Sequence, residues 1–300
     1  MRLITRPLKA PTEPILDLAG LQNILPLYAS DKEDGIRCLT CPARGPLTGQ
    51  IKPVPNRFIR DYLTEFAPHW CDGELVVVDR DGRDLPFNDI QSAIMSRDGK
   101  PNFRFRVFDL FENIYDPYRV RMRKAYNRVM KTKSPYITWL PHYLCHTIGQ
   151  LEHYEADALR RGKEGIMLNS PDGWYKENRS TLNEHYLLKV KRFTDDEAEV
   201  IGVEEEMENT NEAKLNERGL SQRSKHKAGL KGKGMVGKLV CRWRRHIIYI
   251  ASGMTESQKI LWWANPRRIM GKTITFKYQA HGMKVLPRAP IFKSIRDPRG

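Results

Sequence analysis

The sequence predicts an α+β fold in two domains: a larger domain of mixed strands and helices, followed by a smaller domain that is mostly β. The chain has 300 residues, which is enough for two domains that each bury their own core. Strand-like and helix-like segments alternate from Leu27 onward, and after Arg192 short strands prevail with only one helix. We therefore expect the domains at residues 1–191 and 192–300.

In the first domain, the hydrophobic pattern predicts each element in turn. Prolines at positions 7, 11, 14 and 26 argue against a long regular element near the start. Apolar runs and apolar–polar alternation predict strands at residues 36–40, 74–78, 103–111 and 164–168, with Phe103, Phe105, Val107 and Asp109 on one side of the third. Helical spacing predicts helices at residues 56–66 and 148–160. Two further helices are predicted from their first residues, one capped by Asn88 and one starting at Asp116-Pro117.

The second domain is predicted to be a small barrel. Its pattern indicates strands at residues 198–203, 236–243, 247–251 and 273–278, with a helix at 255–264. Short strands with one intervening helix are typical of the oligonucleotide-binding (OB) barrel. The stretch 204–234 is polar, lacks apolar periodicity, and is predicted to be a charged loop between two strands. It is either a disordered surface loop or a basic clamp for nucleic acid, and we favour the clamp.

Composition indicates a polyanionic partner. The net charge is +15 and the pI is about 9.6, a positive excess that speeds encounter with a polyanion and supplies phosphate contacts. An anionic membrane surface would also attract such a chain, but no apolar run is long enough to span a bilayer and no signal-peptide pattern leads the sequence. We therefore expect a soluble protein of the cytoplasm without a membrane partner.

The cysteines predict reduced thiols. There are five of them, an odd number that does not form a disulfide framework. Cys38 and Cys41 have a spacing found in zinc sites, with His142, Cys145 and His146 as conceivable partners. A structural zinc requires four convergent ligands in two well-formed pairs, so we do not expect zinc here.

Residues 31–37, Asp-Lys-Glu-Asp-Gly-Ile-Arg, form the most informative stretch of the chain. They place an amine, a carboxylate, a glycine and a fixed cation within one short turn. An ordinary lysine is protonated at neutral pH, and it becomes a nucleophile only when burial or neighbouring cations favour loss of its proton. Taken alone, the string fits a solvated turn between strands equally well, so its context decides.

That context resembles a known family. Further short motifs follow in a defined order: Asp72-Gly73-Glu74-Leu75, Phe105-Arg106-Val107-Phe108-Asp109, Glu164-Gly165-Ile166-Met167 and Leu188-Lys189-Val190-Lys191. The set resembles the covalent nucleotidyltransferases, and among them the ATP-dependent DNA ligases. Lys176, Arg179-Ser180-Thr181-Leu182, residues 224–229 and residues 287–292 resemble the minimal ligases of viruses and phages. The resemblance spans residues 29–296 and implies an adenylation domain with a nucleotidyltransferase (ATP-grasp-like) fold, followed by an OB-fold domain.

The resemblance also implies a role for each matched residue. Lys32 would attack ATP and carry AMP, and the cations Lys189 and Lys191 would favour loss of its proton while neutralising the α-phosphate. The implied catalytic residues are Lys32, Asp34, Arg37 and Lys191. The implied nucleotide-binding residues are Ser30, Lys32, Glu74, Phe108, Lys189 and Lys191, with Glu74 on the ribose and Phe108 stacked on adenine. Glu164 and Glu74 would hold Mg²⁺ or Mn²⁺.

The implied partner is nicked double-stranded DNA, bound by a monomer, in the host cytoplasm if a virus or phage encodes the protein. Arg37 would grip the phosphate of the nick. The implied DNA-binding residues are Arg37, Arg44, Lys176, Arg179, Arg223, Lys225, Lys227 and Lys231. Each residue also has an ordinary explanation: Phe108 in a strand core, Glu74 and Glu164 at exposed strand ends, and Lys189 and Lys191 on a solvated strand face.

Two positions depart from the family pattern. Minimal ligases usually carry an arginine shortly before a Lys-Pro pair, and this chain has Gly49 there, ahead of Lys52-Pro53, with Arg44 as the nearest arginine. Asn169-Ser170 stands where relatives often have a basic residue. An RNA ligase and an mRNA capping guanylyltransferase share the lysine chemistry and stay as alternatives, as does a non-catalytic nick-binding protein.

Overall fold

The computed structural model describes residues 6–215, 221–224, 229–280, 283 and 285–296. The chain divides into two compact units, Met1–Arg192 and Phe193–Gly300. No helix in the described part of the chain is long and apolar enough to cross a membrane. All five cysteines are buried and free.

The described residues of the first unit form four α-helices and eleven strands. The helices are α1 (Arg57–Phe66), α2 (Phe87–Met95), α3 (Tyr118–Thr132) and α4 (Ile148–Arg160). The strands are β1 (Leu8–Lys9), β2 (Leu27–Asp31), β3 (Ile36–Cys41), β4 (Gly45–Thr48), β5 (Cys71–Val77), β6 (Phe103–Leu110), β7 (Ile137–Trp139), β8 (Tyr143–Cys145), β9 (Gly165–Asn169), β10 (Asn178–Arg179) and β11 (Leu187–Lys191).

Two main sheets organise this unit. The first has the order β4-β3-β5-β6-β7 and the second the order β11-β9-β2-β8, and every pairing in them is antiparallel except β6 with β7. The side chains of Phe103, Phe105 and Val107 are buried on one face of β6, which confirms the predicted alternation. Because these residues pack in one apolar cluster with α1 and α3, strand and helix periodicities are both visible in the sequence.

Two helix starts differ from the prediction. Asn88 does not cap α2, because the helix begins at Phe87 and Pro86 is its N-cap. In the same way α3 begins at Tyr118 and Pro117 precedes it as N-cap. The proline ring fixes φ at −56° and −57° at the two positions, and the extended ψ angles of 145° and 148° place each proline just outside the first helical turn.

The second unit is built mainly of strands, as predicted. They are β12 (Thr194–Asn209), β13 (Ala213–Leu215), β14 (Ser221–Arg223), β15 (Leu230–Trp243), β16 (His246–Ile250), β17 (Thr273–Gln279) and β18 (Arg288–Ile295), with the helix α5 (Glu256–Ala264) after β16. Five of them form an antiparallel sheet in the order β16-β15-β12-β17-β18. Ser252, just after β16, pairs with Ile291 of β18, and the amide of Phe292 donates to the carbonyl of Ser252 at 2.9 Å. The two edges of the sheet therefore meet, and Trp243, Trp262 and Phe276 lie in the enclosed core.

The predicted loop at residues 204–234 is wrong for much of its length. β12 continues to Asn209 and β15 starts at Leu230, so the two strands extend as a paired ribbon well beyond the predicted strands 198–203 and 236–243. Glu206 forms ion pairs with Lys233 at 2.7 Å and with Lys259 at 2.9 Å. Charged side chains and backbone hydrogen bonds hold this ribbon, so its sequence carries no apolar alternation to reveal it.

The charge of this segment is divided along the chain. Residues 204–217 contain six glutamates and one lysine, whereas residues 218–233 contain four lysines and two arginines. Any clamp for nucleic acid would therefore use the second part. Arg223 and Lys231 of that part are exposed, and Lys225 and Lys227 lie outside the described residues.

Candidate active site

The site is assembled where the ends of three neighbouring strands meet. β2 ends at Asp31, β9 starts at Gly165 and β11 ends at Lys191. The register pairs Asp31 with Ile166, and Gly165 with Lys191. The backbone amide of Lys32 donates to the carbonyl of Gly165 at 3.0 Å. Antiparallel pairing therefore brings Lys32, Glu164 and Lys191, which are far apart in the sequence, to one edge of the sheet.

These three side chains form an ion-paired triad. The two oxygens of Glu164 contact the amines of Lys32 and Lys191, one each. The Glu164 side chain is only 4% exposed, against 20% for Lys32 and 15% for Lys191. Burial alone would raise the pKa of Glu164, but the two lysines outweigh it and lower the pKa below its ordinary value. The carboxylate is therefore charged and holds both amines at the edge of a cleft.

Glycines permit the close approach of chains at this edge. A Cβ atom at Gly35 would lie 2.3 Å from the carbonyl oxygen of Leu75. Gly165 has φ of +152°, and a Cβ there would lie 2.1 Å from the carbonyl oxygen of Val190. Larger residues at either position would push strands apart, so the glycines next to Asp34 and Glu164 serve the backbone geometry.

The other sheet contributes Arg37, Glu74 and Phe108. Arg37 on β3 pairs in register with Glu74 on β5. Asp72 pairs with Asp109 and Gly73 with Val107, so Phe108 is the extra residue of a β-bulge in β6. Alternation along β6 puts Phe108 on the face opposite Phe103, Phe105 and Val107, so it is half-buried at the cleft, with the Arg37 guanidinium 4.9 Å from its ring centroid, and it is not part of the buried core.

Arg37 is held in place by a buried carboxylate. Its Nε donates to Asp72 at 2.6 Å and its Nη2 donates to the second oxygen of the same carboxylate. The hydroxyl of Tyr175 also donates to Asp72, which is fully buried. Two donors of the Arg37 guanidinium are thus engaged with Asp72, and the remaining N–H groups are the ones that the phosphate of a nick could use.

These residues line a cleft of about 230 Å³ in the first unit, here called the Lys32 cleft. Seven of the expected site residues line it: Ser30, Lys32, Arg37, Glu74, Phe108, Arg179 and Lys189. Glu164 joins it through its contact with Lys32, and Lys191 joins it through its contact with Glu164. Asp34 lies in the turn two residues beyond Lys32. The cleft therefore brings together the expected nucleotide-binding residues.

Two of the expected DNA-binding residues of the first unit are not among those that line the cleft. Arg44 lies in the turn between β3 and β4 and donates to the carbonyl of Ile51 at 3.2 Å. Lys176 forms an ion pair with Glu184 at 2.6 Å. Both lie on the surface of the first unit.

Burial and charge shift two ionisable groups in the cleft. Burial raises the pKa of Glu74 to about 8, against the opposing influence of Arg37 and Lys32. Burial lowers the pKa of Lys189, and nearby cations lower it further, Lys191 and Arg179 most. Glu74 is therefore largely protonated at neutral pH, and Lys189 belongs to a group of cations that would favour an anion.

The sequence did not indicate several residues of the cleft. Glu33 is buried and contacts Arg106 and Lys163, which also bind Asp84. This four-residue network fixes the turn that presents Lys32. Glu33 is part of the motif and adjoins Lys32 in the sequence. Its burial could not be expected, because an acidic residue in a turn ordinarily faces water.

Lys9 and His142 also line the cleft, although the sequence gave no reason to expect Lys9 in a site and suggested His142 only as a conceivable zinc partner. Lys9 lines the cleft because β1 pairs in parallel with β10, opposite Arg179. Leu8 is buried beside Tyr175 and anchors this two-residue strand. The surrounding prolines gave no strand signal there. His142 lines the cleft with its Nδ1 2.7 Å from the Leu140 carbonyl.

The donor set suits a metal ion that arrives with a phosphate ligand. Among the described residues, no three His, Cys, Asp or Glu side chains are grouped closely enough to hold a metal by themselves. Glu164 offers one charged, nearly buried carboxylate at the cleft. Mg²⁺ commonly binds to one or two carboxylates together with substrate phosphates, and a single carboxylate fits that pattern.

Models of DNA ligase domains match both units of the chain. A family model described as "ATP dependent DNA ligase domain" matches residues 54–191, and one described as "DNA ligase OB-like domain" matches residues 229–296. The DNA ligase of Haloferax volcanii is 31% identical over 119 residues, a stretch that covers 36% of this chain and 20% of that protein.

Solved structures extend the likeness to nearly the whole chain. The Chlorella virus DNA ligase-adenylate is 27% identical with a TM-score of 0.56, over 98% of this chain and 100% of that chain. A Lig E DNA ligase, 22% identical, has a TM-score of 0.69 over 94% of this chain and 98% of that chain, which supports the fold. Since both ligase domain models match in their expected order, the chain belongs to the ATP-dependent DNA ligase family.

Proposed function

We propose that this protein seals nicks in duplex DNA, using ATP and a covalent adenylyl group on Lys32. The observation that carries the proposal is the Lys32–Glu164–Lys191 triad, which presents an amine at a cleft lined by cations and by a half-buried aromatic ring. The first unit would be the adenylation domain and the second unit the OB-fold domain, with the boundary near Arg192.

In the first step Lys32 would attack the α-phosphorus of ATP. An N–P bond forms, the bond to the pyrophosphate oxygen breaks, and pyrophosphate leaves. Glu164 contacts the Lys32 amine and would hold it in position for the attack. Lys189 and Lys191 would offset the negative charge of the phosphate. Mg²⁺ or Mn²⁺, held by Glu164, would supply charge neutralisation of the triphosphate.

Two residues suit recognition of the nucleoside. Phe108 is half-buried at the cleft, which supports stacking on adenine over a role in the core. Glu74, with its raised pKa, can both donate and accept a hydrogen bond at neutral pH, and this suits the ribose hydroxyls. A neutral carboxyl is a poor ligand for Mg²⁺, so we assign the metal to Glu164 alone.

In the later steps AMP would pass to the 5′-phosphate of the nick, and the 3′-hydroxyl would then displace AMP. Asp34 is proposed to serve these steps. Arg37 and Arg179 line the cleft and would contact the nick phosphate, with Arg44 and Lys176 binding the flanking backbone. From the second unit, Arg223, Lys225, Lys227 and Lys231 would clamp the duplex. Action as a monomer in the cytoplasm stays a prediction.

The test is transfer of label from α-labelled ATP to the protein with magnesium. Lys32→Ala should abolish labelling, and Lys32→Arg should do no better because guanidinium stays protonated. Both variants should still seal a nick whose 5′ end already carries AMP. Normal labelling of Lys32→Ala would overturn the assignment.

The same assay separates the alternatives. Labelling by GTP in place of ATP would indicate a capping guanylyltransferase, and sealing of nicked RNA in preference to nicked DNA would indicate an RNA ligase. Nick binding without any labelling would indicate a non-catalytic binding protein. The matches to ATP-dependent DNA ligase domains in both units favour the DNA ligase.

A further inference from the structure

A second groove of the first unit lies along α3 and is not used in the proposed chemistry. It has a volume of about 480 Å³. We call it the α3 groove, and its lining consists of Tyr28, Arg119, Val120, Met122, Arg123, Tyr126, Trp139 and His142. His142 lines both this groove and the Lys32 cleft. No acidic side chain is among these lining residues.

The helix beside the groove is strongly basic. α3 contains four arginines and two lysines and has no acidic residue. Most of its cations are paired with acids from elsewhere: Arg121 with Asp109, Lys124 with Asp116, Arg128 with Glu112, and Arg119 with Asp172. Arg123, which lines the groove, is exposed and has no acidic partner among the residues that the structure describes. One cation of the groove is therefore available to an anion.

Aromatic rings provide the other half of the lining. Tyr126 is 43% exposed, a high value for a tyrosine ring, and meets Trp139 edge to face at a centroid distance of 5.9 Å. The Trp139 ring in turn lies 5.1 Å from the His142 ring. Burial lowers the pKa of His142 to about 4, so its imidazole is neutral at physiological pH. The groove thus offers flat apolar surfaces with one unpaired cation at hand.

We propose that the α3 groove binds one unpaired nucleotide of a single strand, with its base against Tyr126 and Trp139 and its phosphate at Arg123. A nucleobase has a flat face that stacks on aromatic rings whatever its sequence, and the adjoining phosphate requires a cation. A duplex fits less well, because its bases are stacked on one another and only its phosphates are accessible to a groove of this size. This site goes beyond nick sealing and does not depend on the lysine chemistry.

The test is fluorescence anisotropy with a fluorescein-labelled oligo-dT strand of twelve nucleotides and with a labelled twelve-base-pair duplex. Stacking contributes about 1–3 kcal/mol per base, so Tyr126→Ala should weaken single-strand binding about tenfold. Arg123→Glu should weaken it at least as much, while duplex binding should change less than about twofold. Tyr126→Phe keeps the ring and should bind the strand as the unchanged protein does.

Arg97→Glu is the matched control, since Arg97 is exposed, lines a different groove and undergoes the same charge change. It should leave single-strand binding within about twofold. Equal losses for Arg97→Glu and Arg123→Glu would overturn the proposal, because net charge alone would then explain them. So would unchanged strand binding by Tyr126→Ala.

Labelling by ATP keeps this result separate from the ligase proposal. Tyr126→Ala and Arg123→Glu should accept label as the unchanged protein does, which also verifies that they fold. If the unchanged protein takes no label yet binds the strand through Tyr126 and Arg123, the ligase proposal fails and the α3 groove stands.

Discussion

Replacing Asp72 with asparagine should destabilise the first unit, because Asp72 is the buried partner that holds Arg37. The carboxylate is fully buried, accepts Arg37 Nε at 2.6 Å, and also accepts from Arg37 Nη2 and the Tyr175 hydroxyl. Asparagine has the same shape, so the change removes charge without creating a cavity. Loss of one partner from a buried pair costs about 3–5 kcal/mol. The Arg37 side chain is 21% exposed, and its partial hydration reduces our expectation to about 2–3 kcal/mol.

Thermal unfolding measures this effect. A loss of about 2–3 kcal/mol should lower the melting temperature of a unit of this size by roughly 5–10 °C. Tyr175→Phe is the control, since it removes one hydrogen bond and no charge, and it should cost about 1 kcal/mol. Arg37→Met removes the other charge, so the double variant should recover part of the loss.

The double-mutant cycle decides whether the reasoning holds. If the two side chains act as a pair, their coupling free energy should be about 1.5 kcal/mol or more. A coupling below about 0.5 kcal/mol would refute the argument, since Asp72 and Arg37 would then act independently. If the pair couples, Asp72→Asn should also change nick binding. The variant keeps the charge of Arg37 but no longer fixes its orientation, so the protein should prefer a nick with a 5′-phosphate over one with a 5′-hydroxyl less strongly.

Three further predictions concern pH, the ribbon and position 49. Because the pKa of Glu74 is raised to about 8, the folded protein binds a proton at Glu74 that the unfolded chain releases. The melting temperature should therefore fall as pH rises from 5 to 8, and the fall should be smaller in Glu74→Gln. Deleting residues 209–233 should spare labelling by ATP but weaken nick binding. The slope of log binding constant against log salt concentration should become shallower by about 0.9 per lost phosphate contact, and an unchanged slope would contradict the clamp. Gly49→Arg should raise the preference for a nick with a 5′-phosphate over one with a 5′-hydroxyl. Gly49→Ala is the control for crowding alone, because a Cβ at this position lies 3.1 Å from the Cβ of Arg37. Arg44→Ala should change this preference little, since Arg44 donates to the Ile51 carbonyl.

The elements of the first unit could be predicted where one face of a strand or helix meets an apolar core. Phe103, Phe105 and Val107 are such a case, and their alternation appears directly in the sequence. The ribbon of β12 and β15 could not be predicted in the same way. It pairs Glu208 with Lys231 in register, outside any apolar cluster, so backbone pairing leaves no hydrophobic pattern.

The site shows a similar division. Motif order identified Lys32, Glu164 and Lys191 as residues of one family pattern, but their meeting depends on the pairing of β2, β9 and β11. Alternation along β6 predicts that Phe108 lies on the face opposite Phe103 and Phe105, but only the tertiary fold shows that this face borders the cleft. Lys9 was missed because a two-residue strand between prolines has too few residues for any pattern.

The acidic neighbours of Lys32 explain why so short a motif is informative. Asp31 accepts hydrogen bonds from Tyr154 at 3.1 Å and from Arg161 at 2.6 Å, which ties the end of β2 to α4 and the residue after it. Glu33 is buried against Arg106 and Lys163, which ties the other side of Lys32 to β6 and to the segment before β9. Because the residues on both sides are fixed, the Lys32 amine is presented to Glu164 by a restrained backbone. A lysine in a solvated turn would have neither anchor, and this restraint distinguishes the observed turn from the ordinary one that the string alone also allowed.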